Sequence, residues 1–170
     1  MSRKRRNHRT GGFTVIELLI AVGIVAVLAA VAVPLITANV PRFQLKGAAR
    51  ILATDFQKAK VEAVKRNCNV EMRFTPGAYD PAGEIGSYQL VEMAGGSVLV
   101  SRTMPKYVTL YATNFGGTPG YNPQGLPLNS LQGSVYLVNV KGTSYKISLS
   151  TAGHVGMTMN TVDTGALNAW

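Results

Sequence analysis

Residues 11–19 read GGFTVIELL, in which an acid, Glu17, stands just inside a run of apolar side chains. From Leu18 to Pro41 the chain carries no charged residue, and Ala, Val, Leu and Ile dominate this segment. A helix of about 20 apolar residues crosses the hydrocarbon core of a bilayer. The segment therefore predicts a membrane-spanning helix.

Five basic residues and no acid precede the apolar segment: Arg3, Lys4, Arg5, Arg6 and Arg9. Positive charges beside a span hold that end in the cytoplasm, so we expect the C-terminal part to lie on the opposite side of the membrane. A secretory signal peptide is an alternative explanation. The apolar run is longer than the roughly 7–15 residues typical of such a signal, and no small-x-small cleavage site follows it.

Glu17 is the informative residue of this segment. A lone carboxylate in an apolar environment costs several kcal/mol unless it is paired. No Lys, Arg or His lies within a helical turn on its C-terminal side. The sequence therefore predicts a partner on another molecule, or a newly formed amino group.

Residues 12–19 resemble the leader junction of type IV prepilins and type II secretion pseudopilins, in which a short basic leader ends in glycine and FT-x-x-ELL opens a long apolar run. The resemblance implies that a prepilin peptidase cleaves after Gly12 and N-methylates Phe13. It also implies that Glu17 meets the terminal amine of a neighbouring subunit during assembly. We accordingly expect a leader at residues 1–12, a transmembrane and filament-core helix at 13–41, and a periplasmic domain at 42–170. The alternative is a plain signal anchor with an incidental acid.

Pro34 removes a backbone donor from the second half of the span. The sequence predicts a helix kink there, and pilins have a proline near the same place. A proline that a membrane helix merely tolerates is the other explanation.

Beyond Pro41, apolar residues recur at steps of three and four, which predicts one apolar stripe on a helix that runs to about Arg66. The residues of this stripe are Leu45, Ala48, Ala49, Leu52, Phe56, Ala59 and Ala63. Basic residues occupy much of the remaining surface, which indicates a solvated face that meets neighbours or, alternatively, binds phosphate. Glu62 and Arg66 are spaced to form an exposed ion pair.

After Asn69 the pattern changes to short runs rich in Val, Tyr, Leu and Thr, separated by turn residues. These runs predict strands at 70–75, 88–93, 98–103, 108–112, 134–140, 145–150 and 154–158. Hairpin turns are expected at 141–143 and at 152–153, and irregular loops at 76–87 and 114–132. The longer loop either covers a sheet edge, forms a subunit contact or is disordered. The predicted fold class is α+β and pilin-like, with a long N-terminal helix packed on an antiparallel β-sheet domain.

Several stretches are similar to the GspH/FimT family of minor pilins and pseudopilins. They are LATDFQKA at 52–59, AVKRN at 63–67, NPQG at 122–125 and ISLSTAG at 147–153. The resemblance implies a low-abundance subunit that primes or caps a type IV pilus, or that belongs to the tip complex of a type II secretion pseudopilus. The partners it implies are the prepilin peptidase, other major and minor pilins or pseudopilins, and the inner membrane. The choice between pilus and secretion system stays open.

The net charge of +9 raises the question of nucleic-acid binding. Five positive charges belong to the predicted leader, which leaves 12 Lys and Arg against 8 acids from Phe13 onward. Some relatives bind DNA through arginines that follow the late glycine, but residues 153–157 here read GHVGM. Lys141, Lys146 and His154 remain as candidate DNA contacts.

Motifs for catalysis are missing from the sequence, which has no Gly-rich phosphate loop, no His and Cys spacing for a metal, and no nucleophile elbow. Cys68 is the single cysteine, and we interpret it as a small, half-buried residue near a helix end. His154 has no acid nearby in sequence. We therefore expect no enzymatic activity, no cofactor and no metal site.

Overall fold

The computed structural model describes residues 13–80 and 83–161. The chain divides into two units between Asn39 and Val40. Helix α1 (Val15–Arg66) contributes residues to both units. The predicted leader, including Gly12, lies outside the described residues.

The first unit consists of the N-terminal part of α1. Residues 13–39 are all exposed, although most of them are apolar. Among the described residues, α1 is the one helix long and apolar enough to cross a membrane. A helix that is apolar on every side needs lipid or other protein around it.

In the second unit, α1 follows the predicted pattern. All seven residues of the predicted apolar stripe, from Leu45 to Ala63, are buried. The helix ends at Arg66, as the sequence predicts. Asn67 then adopts a left-handed conformation with φ of 49°, and the Cys68 amide donates to the carbonyl of Ala63 at 3.2 Å. Asparagine is one of the few residues that adopt this conformation readily, so it makes a suitable C-terminal cap.

Eight strands follow the helix. They are β1 (Val70–Thr75), β2 (Ser87–Glu92), β3 (Val98–Thr103), β4 (Val108–Thr113), β5 (Gly120–Tyr121), β6 (Gly133–Asn139), β7 (Thr143–Leu149) and β8 (Val155–Thr161). The positions of β1 and β3 match the prediction, and five others differ from it by one to three residues at an end. The ends of β7 and β8 are set by their mutual pairing, from Thr143 opposite Thr161 to Leu149 opposite Val155. The residues of one strand do not show which strand it pairs with or in which register, so these ends could not be predicted from the sequence.

The strands form two antiparallel sheets, with orders β3-β2-β1-β5 and β4-β6-β7-β8. The predicted α+β class, a long helix on antiparallel β-structure, is confirmed. The sequence did not reveal that the strands divide between two sheets. The division occurs between β3 and β4, where Tyr107 has φ of 68° and the chain leaves the first sheet to begin the second.

One hydrophobic core joins α1 to both sheets. The buried helix residues share a cluster with Met72 and Leu90 of the first sheet and with Leu137 and Ile147 of the second. Aromatic rings extend this cluster. Phe74 lies 6.0 Å from Phe56 of the helix, measured between ring centroids.

The second predicted loop is more ordered than its composition suggests. Within residues 114–132, β5 pairs with β1 and covers the edge of the first sheet, and the Met72 amide donates to the Pro119 carbonyl at 2.7 Å. A short 3-10 turn, Leu128–Ser130, follows. Of the three expectations for this loop, covering a sheet edge is what the structure shows.

Two turns that carry the family resemblance lie together over Tyr121. At 122–125, the Asn122 Oδ1 accepts the amide of Leu126 at 2.9 Å. At 152–153, Gly153 has φ of +78°, and a Cβ atom there would lie 3.6 Å from the Tyr121 ring and 3.7 Å from the Gly125 carbonyl oxygen. A side chain at position 153 would therefore be strained in its backbone, while its Cβ atom would make ordinary van der Waals contact with this turn.

Tyr121 is fully buried, and its hydroxyl has no hydrogen-bond partner among the described residues. Burial raises the pKa of Tyr121 to about 12. We expect Tyr121→Phe to leave the free energy of unfolding unchanged or to raise it by up to about 1 kcal/mol at pH 7, because it removes an unpaired polar group. In the unfolded chain tyrosine ionises near pH 10, so the wild type should lose stability as the pH rises from about 10 to about 12, and the variant should lose less.

Urea unfolding of the full chain in detergent, followed by circular dichroism at pH 7 and pH 11, measures both effects. A loss of more than about 1 kcal/mol at pH 7 in the variant would show that the hydroxyl is paired after all.

Candidate functional site

The start of α1 is capped by a side chain. The Thr14 Oγ1 accepts the backbone amide of Glu17 at 3.2 Å, and the helix begins at Val15. A threonine three residues before a glutamate is the sequence of a capping box, which satisfies amides that have no partner within the helix. The carboxylate of Glu17 also lies in the first turn, where the helix dipole favours negative charge.

Among the described residues, Glu17 has apolar neighbours and no counter-charge. Its neighbours in sequence are exposed apolar residues, and Phe13, the predicted methylation site, is 86% exposed. The sequence has no Lys, Arg or His between Phe13 and Pro41, and no salt bridge involves Glu17 within residues 13–80 and 83–161. Within the described part of the chain, the Glu17 carboxylate therefore has no partner of opposite charge.

Pro34 lies inside α1, and the helix continues through it. Nearby polar side chains bond to helix carbonyls: the Thr37 hydroxyl lies 3.1 Å from both the Val33 and the Pro34 oxygens. The Asn39 amide donates to the Leu35 oxygen at 2.9 Å. These bonds satisfy polar groups that would otherwise be unpaired in hydrocarbon. The predicted kink at Pro34 stays a prediction.

Comparison with known proteins identifies the family. Residues 48–153, more than half of the chain, match the family described as Type II transport protein GspH, and residues 7–33 match the prokaryotic N-terminal methylation motif. The pilin-like protein PilA1 of Thermus thermophilus is 32% identical over 158 residues, which cover 84% of this chain and 94% of PilA1. The chain belongs to the GspH family. It is a minor pilin or pseudopilin, a subunit of a type IV pilus or of a type II secretion system, as the sequence resemblance implied.

Solved structures similar to this GspH-family chain include two crystal forms of the type IV minor pilin FimU from Pseudomonas aeruginosa. They are 18% and 17% identical to it, with a TM-score of 0.48 in each case. They cover 67% and 73% of this chain and 92% of FimU.

Family and motif together place the chain among structural subunits that are anchored in a membrane by an apolar N-terminal helix. Such a subunit contacts other pilins or pseudopilins and a prepilin peptidase. The methylation-motif match spans Gly12, Phe13 and Glu17.

The three candidate DNA contacts are spread along the second sheet of this GspH-family chain. Lys141 lies in the turn before β7, Lys146 lies in the middle of β7, and His154 lies in the turn after it. The first and last therefore lie at opposite ends of a seven-residue strand. Lys146 does lie 6.0 Å above the ring of Tyr136, but the structure does not gather the three residues into one site.

A polar cluster around Asp55 of α1 was not predicted from the sequence. The Asp55 carboxylate, 3% exposed, accepts a hydrogen bond from the Tyr88 hydroxyl at 2.6 Å and one from the Arg102 Nε at 2.5 Å. Burial, reinforced by the bond to Asp55, raises the pKa of Tyr88 far above its ordinary value. The bond to Asp55 likewise raises the pKa of Arg102. Asp55 lies three residues after Leu52, on the buried side of the helix. This spacing is the sequence feature from which a buried, paired carboxylate could have been predicted.

A second ion-pair cluster lies at the end of α1. Arg66 meets Glu62 at 2.7 Å, as predicted, and it also meets Glu92 of β2 at 3.0 Å. The hydrogen bond from Arg66 lowers the pKa of Glu62. Burial, followed by the bond to Glu92, raises the pKa of the half-buried Cys68 thiol, which disfavours the reactive thiolate. No group of three or more metal-ligating side chains lies together in the described ranges.

We expect Arg102→Gln to lower the free energy of unfolding by about 2–3 kcal/mol, because it leaves the buried Asp55 carboxylate with Tyr88 alone. Breaking a fully buried pair costs about 3–5 kcal/mol, and the partial exposure of Arg102 reduces that figure. The matched control is Arg73→Gln, which breaks the more exposed pair with Glu71 and should cost less than about 1 kcal/mol. Equal losses for the two variants in urea unfolding would contradict the importance of the Asp55 cluster.

Proposed function

We propose that this GspH-family chain is inserted in the inner membrane with its N-terminus in the cytoplasm and its second unit in the periplasm. A prepilin peptidase then cleaves after Gly12 and N-methylates Phe13. The shortened chain joins a type IV pilus or type II secretion pseudopilus through α1. It acts as a low-abundance structural subunit at the priming or tip complex, without catalytic activity.

The observation that carries this proposal is the isolated charge of Glu17. A charge at the centre of a membrane helix costs about 3 kcal/mol on insertion scales, and the capping position near the helix start reduces but does not remove that cost. Cleavage after Gly12 creates a new amine at Phe13, four residues before Glu17. The amine of one subunit and the carboxylate of its neighbour then neutralise each other as the two helices pack.

The pairing also explains why an acid is retained in so apolar a segment. Apolar helices pack against one another with little preference for a particular axial position, because the contacts are similar after a small shift. A single pair of opposite charges is satisfied only where the two groups meet. Glu17 therefore selects one axial position for the incoming subunit.

Cleavage and methylation at the leader junction are tested by the mass of the processed chain. We expect co-expression of the full chain with a prepilin peptidase to yield a shorter chain that begins at N-methylated Phe13, measured by intact-mass and peptide mass spectrometry. Gly12→Val should remain full length, because a branched side chain obstructs the cut. A wild-type chain that keeps its leader in peptidase-positive cells would contradict the proposal.

The role of Glu17 is tested by assembly. We expect Glu17→Gln, which keeps the size of the side chain but removes its charge, to lower incorporation into sheared filaments at least about tenfold, since a factor of ten corresponds to only about 1.4 kcal/mol. Processing and membrane insertion should continue. Glu62→Gln makes the same change in the second unit and should leave incorporation near the wild-type level. Normal incorporation of Glu17→Gln would refute the pairing of amine and carboxylate.

A further inference from the structure

A groove of about 390 Å³ lies in the second unit, between α1 and the end of β3. Gln44, Gly47 and Ile51 line its helix side, and Arg102 and Met104 line the opposite side. β3 is an edge strand of the first sheet, so within residues 13–80 and 83–161 no further strand of this sheet closes the groove. Its volume lies at the small end of the range of about 300–1,000 Å³ for ligand pockets, which suits one or two inserted side chains.

At Gly47 the helix side of the groove carries no side chain. A glycine inside a helix costs about 1 kcal/mol relative to alanine, so its presence calls for a packing reason. Apart from its own stretch of helix backbone, a Cβ atom at this position would have no atom within 4 Å, and the described part of the chain therefore supplies no such reason. One turn to either side, Phe43 and Ile51 are 70% and 45% exposed. The helix presents a depression between two apolar projections, a shape that receives an apolar side chain from outside.

Arg102 supplies a charged wall with a fixed orientation. Its Nε is held by the buried Asp55, and its side chain is 44% exposed. A guanidinium has further N–H donors on Nη1 and Nη2, and their planar arrangement matches a carboxylate. Asp55 and Tyr88 thus fix the plane of the guanidinium beside the groove, as a bidentate contact requires.

The surroundings of the groove are basic. Arg42, Lys46 and Arg50 lie on the same stretch of α1, and the sequence has no acid from Leu18 to Thr54 or from Met93 to Val162. Electrostatic complementarity therefore favours an acidic partner. A second copy of this chain is a poor source of acid, since four of its eight acids are engaged in internal salt bridges: Asp55, Glu62, Glu71 and Glu92.

We propose that the groove binds a different pilin-class subunit, through an acidic side chain next to an apolar one. The carboxylate meets the Nη donors of Arg102, and the apolar side chain lies on Gly47 between Phe43 and Ile51. This inference rests on the proposed function, because it requires a neighbouring subunit in the filament. It adds a contact outside the N-terminal helix and states the chemistry of the partner.

Photo-crosslinking in the native cell tests the groove. The full chain carries p-benzoylphenylalanine at Gln44, in the groove, or at Lys58, exposed on the same helix outside it. We expect crosslinking from position 44, and not from 58, to a different pilin-class subunit, at a peptide that contains Asp or Glu. Gly47→Leu fills the depression and should lower the crosslink yield at least about tenfold, a change of about 1.4 kcal/mol. Gln57→Leu adds the same side chain at an exposed helix position and should leave the yield unchanged.

The position-47 variant should fold, since its new side chain enters open space on a helix; resistance to protease checks this. Crosslinks only to lipid, only to copies of the same chain, or from neither position overturn the groove proposal. So does an unchanged yield in Gly47→Leu. Sheared filaments from the same cells distinguish the two proposals. If the chain is present in filaments but gives no crosslink, the groove proposal alone is refuted. If the chain is absent from filaments, both the groove proposal and the proposed function are refuted.

Discussion

At the centre of the second unit, seven side chains of α1 are withdrawn from water and packed against strands of both sheets. This burial is the constraint on which the remaining structure depends, because each sheet has only one face to bury and the helix is the surface they share. It also explains the small residues of the stripe. Ala49, Ala59 and Ala63 flank Leu52 and Phe56 along the stripe, and the small size of the alanines allows strands to approach the helix closely.

Two acids on the same helix differ in whether the chain supplies a partner for their charge. Asp55 is neutralised within the chain, by Arg102 and by the hydroxyl of Tyr88. Glu17 has no such partner among the described residues, and its helix segment offers none in sequence. One carboxylate therefore holds a strand to the helix, whereas the other has no counter-charge within the described residues. The difference follows from location, since only the second unit has strands that can bring a distant cation to the helix.

The local features of the chain were largely predictable from residue types. The length of the apolar segment, the spacing of the stripe and the left-handed preference of Asn67 set the helix, its buried face and its end. Alternation of apolar residues placed seven strands, but their ends depend on partners, as the pairing of β7 with β8 illustrates. β5 was missed because its two residues form a strand only by pairing with β1, and a pair of residues carries no periodicity.

The sequence by itself determined the membrane-type helix, the isolated acid near the start of its apolar run, and the family, because these depend on residues close together in the chain. Only the tertiary structure decided that the strands form two sheets, that Asp55 meets Tyr88 and Arg102, and that Gly47 faces a groove. The two contacts of Asp55 join residues 33 and 47 positions apart. Such partners are selected by how the whole core packs, and local pattern does not contain that information.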